Sequence, residues 1–452
     1  ALHVFYFLFS WLQVNPGKVI LKKNVMNAFR HKRRGTRHLK PVAVTSFFLQ
    51  HRNETILLQI KQTMKTKTIL CSLLIAGWNM SVQAQQPVAA DAWSSLVPYI
   101  ESRMNEWHIP GAAVIVIKGD SVLFQQAFGY ADVESKQRVN SKTLFAIGSC
   151  TKSFTATGLL LLADEKKAAL SEPVTTYYPT LQLSDTLVQK QITLQDILAH
   201  RTGFDRSDYI FYGAGYSRAE ILNRMKFMKP VAPFRNSFLY NNMMYTLAGT
   251  VIEKVSGNNY EDFIAQRIFQ PLQMKRTCFT LSAGETNRAL PYLFYNSSLQ
   301  RQPMPVLTGV EPAGAIWSDM NDMTNWLRFL VSGGKADTTR LLSSRAAGLL
   351  KTPVAFTGNG MRADETEYKS YGLGFGFTAY KGYRVMYHTG VAGGYMAHVA
   401  VLPEEKIGIV LLCNTETFTN AIINNIIDRA MGKEQTDWNS PVLAMVQEQW
   451  TR

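Results

Sequence analysis

Residues 107–132 read WHIPGAAVIVIKGDSVLFQQAFGYAD. Two apolar runs, 112–118 and 122–128, flank Gly119-Asp120, and this pattern predicts a β-hairpin. Upstream, residues 91–107 carry Trp93, Leu96, Ile100 and Met104 at helical spacing. Downstream, a long apolar helix is predicted from near Ser149 to about Lys166. Residues 170–360 are richer in helix and loop signals. Predicted helices there are 194–199, 218–225, 243–256, 260–268 and 320–331. Strand patterns return at 372–379, 383–387, 395–402 and 408–413, and a last helix is predicted over 419–431. Strands at both ends and helices between them predict an α/β (α+β) fold. Its antiparallel sheet combines N- and C-terminal strands flanked by helices, with an inserted mainly helical lobe. The sheet lobe covers about 91–168 and 365–432, and the helical lobe about 169–364. A ligand cleft is expected where the two meet.

The composition is that of a globular protein, with 46% apolar and 18% charged residues. The 48 Lys and Arg against 33 Asp and Glu give a formal +15, which invites a nucleic-acid reading. The distribution argues against it. Residues 1–84 hold 13 of the basic residues and one acid, Glu54, which leaves 35 basic and 32 acidic residues in 85–452. A net of +3 gives that body no polyanion-binding character, so no nucleic-acid partner is expected.

Residues 64–84, MKTKTILCSLLIAGWNMSVQA, have a basic head, a short apolar run and small residues at Val82-Gln83-Ala84. These are the parts of a secretory signal peptide, with cleavage expected after Ala84 and a periplasmic or secreted bacterial product. Residues 1–63 precede it and are expected to be non-native upstream translation, the alternative being a basic anchor on a membrane surface; either way they are set apart from the fold. The folded domain is then expected to be 85–452, with no membrane span in the mature chain. Cys150, Cys278 and Cys413 remain after cleavage and are expected to be small buried apolar residues. No HExxH, CxxC, Walker A or GxSxG pattern occurs, and neither metal nor cofactor is expected.

Gly148-Ser149-Cys150-Thr151-Lys152 opens the long helix. Three residues apart, Ser149 and Lys152 share a helix face, and a desolvated lysine can take the proton of a serine hydroxyl. Taken alone, the pair also fits a capping serine beside a solvated lysine. Ser332-Gly333-Gly334-Lys335 repeats the spacing on a Gly-Gly loop, without a helix to fix the geometry. Tyr240-Asn241-Asn242 is the only Tyr-x-Asn in the chain. A tyrosine near two positive groups can approach phenolate and accept a proton. His388-Thr389-Gly390 follows the strand pattern at 383–387 and offers donors and close backbone approach to a substrate.

In this order the three motifs resemble the serine β-lactamase and penicillin-binding-protein superfamily, most closely the class C β-lactamase-like serine hydrolases. Residues 107–132, LAHRTGF at 198–204, EPAGAIWS at 311–318 and 395–414 extend the likeness over nearly all of 91–432. The resemblance implies a β-lactamase/transpeptidase-like fold. It implies Ser149 as acylated nucleophile, Lys152 as its helper, and Tyr240 as general base that returns the proton to the leaving group. It implies Asn242 bonded to Lys152 and a substrate amide. The oxyanion hole would be the backbone N–H groups of Ser149 and Val391, and His388, Thr389 and Gly390 would line the substrate. Penicillin-recognising relatives usually carry Lys at the place of His388. That departure favours a peptidase, amidase or esterase on D-amino-acid peptides, amides or small esters, with weak or no β-lactamase activity. The alternative is a penicillin-binding sensor or ligand-binding module that acylates without turnover. In many relatives a small β-rich domain follows, and it is expected to be absent or cut off here. The partner is a small molecule or peptide, and the oligomeric state is left open.

Overall fold

The computed structural model describes residues 91–208, 214–359 and 366–450. The expected leader and upstream segment lie outside the described residues. One nine-stranded sheet organises the rest. Its strands are β1 (Gly111–Lys118), β2 (Ser121–Asp132), β3 (Gln137–Arg138), β4 (Ala355–Asn359), β5 (Thr366–Tyr371), β6 (Gly376–Tyr380), β7 (Tyr383–Val391), β8 (Met396–Leu402) and β9 (Ile407–Cys413). They lie in the order β4-β5-β6-β7-β8-β9-β1-β2-β3, and every pairing is antiparallel. N- and C-terminal strands therefore share one sheet, joined where Ala112 faces Cys413 and Lys118 faces Ile407. The predicted hairpin forms, with Lys118 opposite Ser121 and Gly119 at φ +57° in the turn. The sheet is wider than the strand patterns suggested, because β4 and β5, within residues 355–371, add two strands beside β6.

The unbroken apolar character of β1 has a direct cause. Its side chains alternate between two cores, with Ala113, Ile115 and Ile117 on one face and Ala112, Val114 and Val116 on the other. A strand covered on both faces has no polar side to show. Asn414 ties the seam: its Oδ1 accepts from Gly111 N at 2.8 Å, and its Nδ2 donates to Tyr130 O and Leu290 O at 3.1 Å.

One face is covered by α1 (Leu96–Glu106) near the N-terminus. The other face holds α2 (Thr151–Asp164), α3 (Leu194–Leu198), α4 (Arg218–Arg224), α5 (Asn242–Ser256), α6 (Tyr260–Ile264), α7 (Glu311–Gly314) and α8 (Met320–Val331). Two C-terminal helices, α9 (Asn420–Ala430) and α10 (Ser440–Trp450), return to the α1 face. Helix α10 follows the last helix expected from sequence. Its contribution is Val442 and Val446, buried with Trp438 against the α1 face.

Helix α2 runs through the middle, with every residue from Thr151 to Leu162 buried. Its hydroxyls are satisfied internally, as in Thr157 Oγ1 to Ser153 O at 2.8 Å. Arg218 clamps the surrounding helices by pairing with Glu253, Glu261 and Glu311, the last at 3.0 Å. That network holds α7, whose Ala313 carbonyl enters the site below. Cys150 and Cys413 are buried as expected, whereas Cys278 is half-buried and packs at the edge of the core. Among the described residues no helix is long and apolar enough to cross a membrane.

Candidate active site

Ser149 does not begin the α-helix. It sits in a 3-10 turn, Gly148–Cys150, that leads into α2. The tighter turn stacks side chains three apart more closely than an α-helix does. Lys152 Nζ consequently lies 2.9 Å from Ser149 Oγ. Lys152 is fully buried, and Nζ also meets Asn242 Oδ1 and Ala313 O, each at 2.7 Å. Those two oxygens can only accept, so they take two N–H bonds of the amine. The remaining tetrahedral position of Nζ points at Ser149. Burial pushes the Lys152 amine well below its usual value, with the Arg206 charge adding to the effect. In its neutral form Lys152 presents an unshared pair to the serine hydroxyl.

Tyr240 stands just ahead of α5. Asn241 caps that helix, its side-chain oxygen accepting from Met244 N at 3.2 Å, and Asn242 is the first helical residue. The cap sets the direction of both neighbours. Tyr240 OH donates to Ser149 Oγ at 2.7 Å, while Asn242 reaches Lys152 from the other side. Burial raises the Tyr240 phenol more than the nearby Arg206 charge lowers it. It therefore stands in the resting site as a protonated donor. The approach to phenolate expected from nearby cations is outweighed by desolvation.

Strand β7 supplies the opposite wall. A methyl built on Gly390 would lie 1.9 Å from the Ile147 carbonyl oxygen and 2.9 Å from Ser149 N. One built on Gly148, at φ +49°, would lie 2.6 Å from Val391 N. The two glycines thus let the amides of Ser149 and Val391 approach the same small space. Thr389 is half-buried beside them. We expect Gly390→Ala to push β7 off the Gly148–Cys150 turn. Turnover should fall by about 10²–10³, the scale of losing one backbone donor, as the Ser149 and Val391 amides move apart, and stability by about 1–3 kcal/mol through overpacking. Steady-state kinetics with denaturant melts would check this. Unchanged kcat in a correctly folded variant would show that the close approach is not needed.

His388 borders the site, its ring centroid 6.4 Å from that of Tyr240. It is only 6% exposed, and Nε2 is 2.9 Å from the Tyr371 hydroxyl. Its Nδ1 is 2.6 Å from the Thr389 carbonyl, which can only accept, so Nδ1 carries the proton. Burial pushes its pKa down to about 3, with Lys152 contributing. His388 is thus a neutral ring packed behind the site, with both nitrogens occupied. A substrate carboxylate would find no cation there.

Ser149, Lys152, Tyr240, Asn242 and Gly390 meet at one place, and Val391 and Thr389 border it. Other groups at the site had weaker sequence signals. The Ala313 carbonyl lay within the quoted EPAGAIWS stretch, but a backbone oxygen has no side-chain code. Tyr371 comes from β5, a strand the pattern did not reveal. His200, in the LAHRTGF stretch, is fully buried with its ring centroid 4.4 Å from that of Tyr240. Its Nδ1 accepts from Asn241 N at 3.1 Å. Arg206 and Asp208 follow that stretch. Arg206 stands 5.1 Å from the Tyr240 ring centroid, and Asp208 Oδ1 accepts from Asn242 Nδ2 at 2.9 Å. Ser332 and Lys335 fall on the turn after α8 and a short strand, outside the site.

The site can be set beside known proteins. Unguisins hydrolase ungD' of Aspergillus campestris is 28% identical over 75% of this chain and 66% of its own length. Protein flp of Staphylococcus aureus is 26% identical over 72% of this chain and 63% of its own. The chain thus spans just under two thirds of the length of these curated relatives. Among solved structures, the octameric penicillin-binding protein homologue from Pyrococcus abyssi superposes with a TM-score of 0.68. It is 25% identical, over 76% of this chain and 78% of that one. The class C beta lactamase from Rhodobacter sphaeroides shares the fold, with a TM-score of 0.61 at 20% identity over 75% and 97% of the two chains. The beta-lactamase family model matches residues 96–430, which hold the Ser149, Lys152 and Tyr240 cluster and the whole sheet, and the chain belongs to that family.

Proposed function

We propose that the protein is a serine hydrolase that works through an acyl-enzyme on Ser149. The observation that carries this reading is the hydrogen-bonded chain from Tyr240 to Ser149 to Lys152, at 2.7 and 2.9 Å. Lys152 takes the hydroxyl proton as Ser149 Oγ attacks a carbonyl carbon. The resulting ammonium has three oxygens for its three N–H bonds. The amides of Ser149 and Val391 hold the developing oxyanion. When the bond to the leaving group breaks, Tyr240 passes its proton to the departing nitrogen or oxygen, and Lys152 restores it. Water then attacks the acyl-enzyme, and the same groups run in reverse to free Ser149. The contact of Tyr240 with Ser149 favours turnover over a module that is acylated and stalls.

The proposed substrates are D-amino-acid peptides or amides and small esters, with weak or no action on β-lactams. The support is His388, a neutral and buried ring where penicillin-recognising relatives carry a permanent cation. A relative named as a hydrolase of unguisins supports hydrolysis. Residues 64–84 support export to the periplasm or medium.

Intact mass after incubation with a fluorophosphonate, a penicillin and a D-Ala-D-Ala peptide tests the reading. The expected result is stoichiometric phosphonylation mapped to the peptide holding Ser149, slow or no labelling by penicillin, and release of D-Ala or hydrolysis of a small ester. Labelling on any other residue, or none, would overturn it.

A further inference from the structure

Asn242 stands between Lys152 and a carboxylate. Its Oδ1 accepts from Lys152 Nζ at 2.7 Å, and its Nδ2 donates to Asp208 Oδ1 at 2.9 Å. The other oxygen of Asp208 accepts from Arg206 Nε. The loop carrying both charges is tied to the α5 cap, because Asn241 Nδ2 donates to the Asp205 carbonyl. Asn242 is 7% exposed, and the Asp208 side chain 16%.

An asparagine amide can face either way, and its orientation decides what Lys152 can do. With oxygen toward Nζ, the amide consumes an amine hydrogen. With nitrogen toward Nζ, it offers a hydrogen and competes for the unshared pair that must face Ser149. An ionised carboxylate accepts only, so Asp208 can be served by the Nδ2 side alone. We propose that Asp208 is a positioning residue that locks the Asn242 amide and thereby aims the unshared pair of Lys152 at the Ser149 hydroxyl. This inference rests on the acyl-transfer reading above.

The consequences of Asp208→Asn can be worked out donor by donor. Arg206 Nε and Asn242 Nδ2 then compete for one oxygen. Arg206 cannot accept, so it keeps that oxygen, and an amide nitrogen is turned toward Asn242. Asn242 answers with its own oxygen and presents Nδ2 to Lys152. The charge changes as well. The groups facing Lys152 are Cys150 on its own turn, Tyr240 and Tyr245, His200 and His388, and Arg206 and Asp208. Burial holds the thiol, the phenols and the imidazoles neutral. The formal charges among these groups are Arg206 and Asp208. Asp208 raises the Lys152 pKa and Arg206 lowers it. Removing the carboxylate therefore moves Lys152 deprotonation to lower pH.

The test is the rate of fluorophosphonate labelling of Ser149 as a function of pH, in wild type, Asp208→Asn and Asp208→Glu. Asp208→Asn should label at least about tenfold more slowly at its plateau, with the acid limb at lower pH. Asp208→Glu keeps the charge and should hold the limb near its wild-type position. An equal rate in Asp208→Asn overturns the proposal. So does a slower rate with an unshifted limb, which simple loosening of the loop would produce. Should Asp208→Asn fail to fold, an Asp208→Glu limb shifted as far from wild type as one unit would equally overturn it, since one unit is tenfold in proton affinity. Wild type that is not labelled at Ser149 sinks the acyl-transfer reading itself, whereas labelled wild type with an unaffected variant sinks only the role of Asp208.

Discussion

Ser149→Ala abolishes turnover of every ester and amide that wild type hydrolyses, with a loss of about 10⁴ or more in kcat. The size follows from the position of Oγ. Among the described residues it is the one atom hydrogen-bonded to both Tyr240 and Lys152, so removing it leaves neither proton donor nor acceptor a reacting partner. Folding should be little affected. Ser149 is half-buried in a short turn, Lys152 keeps Asn242 and Ala313, and water can serve the Tyr240 hydroxyl. Purified variant assayed beside wild type, with melting followed by circular dichroism, checks both halves. Hydrolysis that persists at the wild-type rate in the variant would remove Ser149 from the chemistry.

Lys152→Met produces the second large effect, a loss of about 10²–10⁴ in acylation rate, the usual contribution of a positioned base. The pH dependence changes with it. In wild type, kcat/KM should rise through an acid limb set by Lys152, well below the ordinary lysine value of 10.5. The variant has no such limb. Stability carries the same signature. Between the depressed native pKa and 10.5 the unfolded chain binds a proton that the native chain does not. Native stability must then rise with pH in that window. The stability of wild type relative to Lys152→Met therefore increases with pH there and levels off above it. Denaturant melts of both proteins across that range measure the difference, and a flat difference would show that Lys152 titrates normally in the fold.

Much of the framework was legible in short stretches. The hairpin at 111–132 follows from two apolar runs around Gly119-Asp120, and α5 from its apolar spacing and the Gly257 stop. The burial of β1 on both faces accounts for an apolar run without alternation. The strands β4 and β5 were not legible, because residues such as Thr366, Lys369 and Ser370 carry neither alternation nor a strong apolar core. Helix α10 was missed for a similar reason, since its packing depends on Val442 and Val446 finding the α1 face.

The same division runs through the site. The linear chain determined which side chains could supply a nucleophile, an amine and a phenol, because those are chemical identities with fixed spacing along local elements. Ser149 and Lys152 meet through one turn, a local geometry. Protonation states were decided only by the assembled fold. Desolvation and neighbouring charge depend on groups distant in sequence, and they make Lys152 an available base, Tyr240 a donor and His388 a neutral buried ring. Orientation was settled in the same way: Asp208 and Ala313 act on Lys152 across 56 and 161 positions, a relation that no spacing rule encodes.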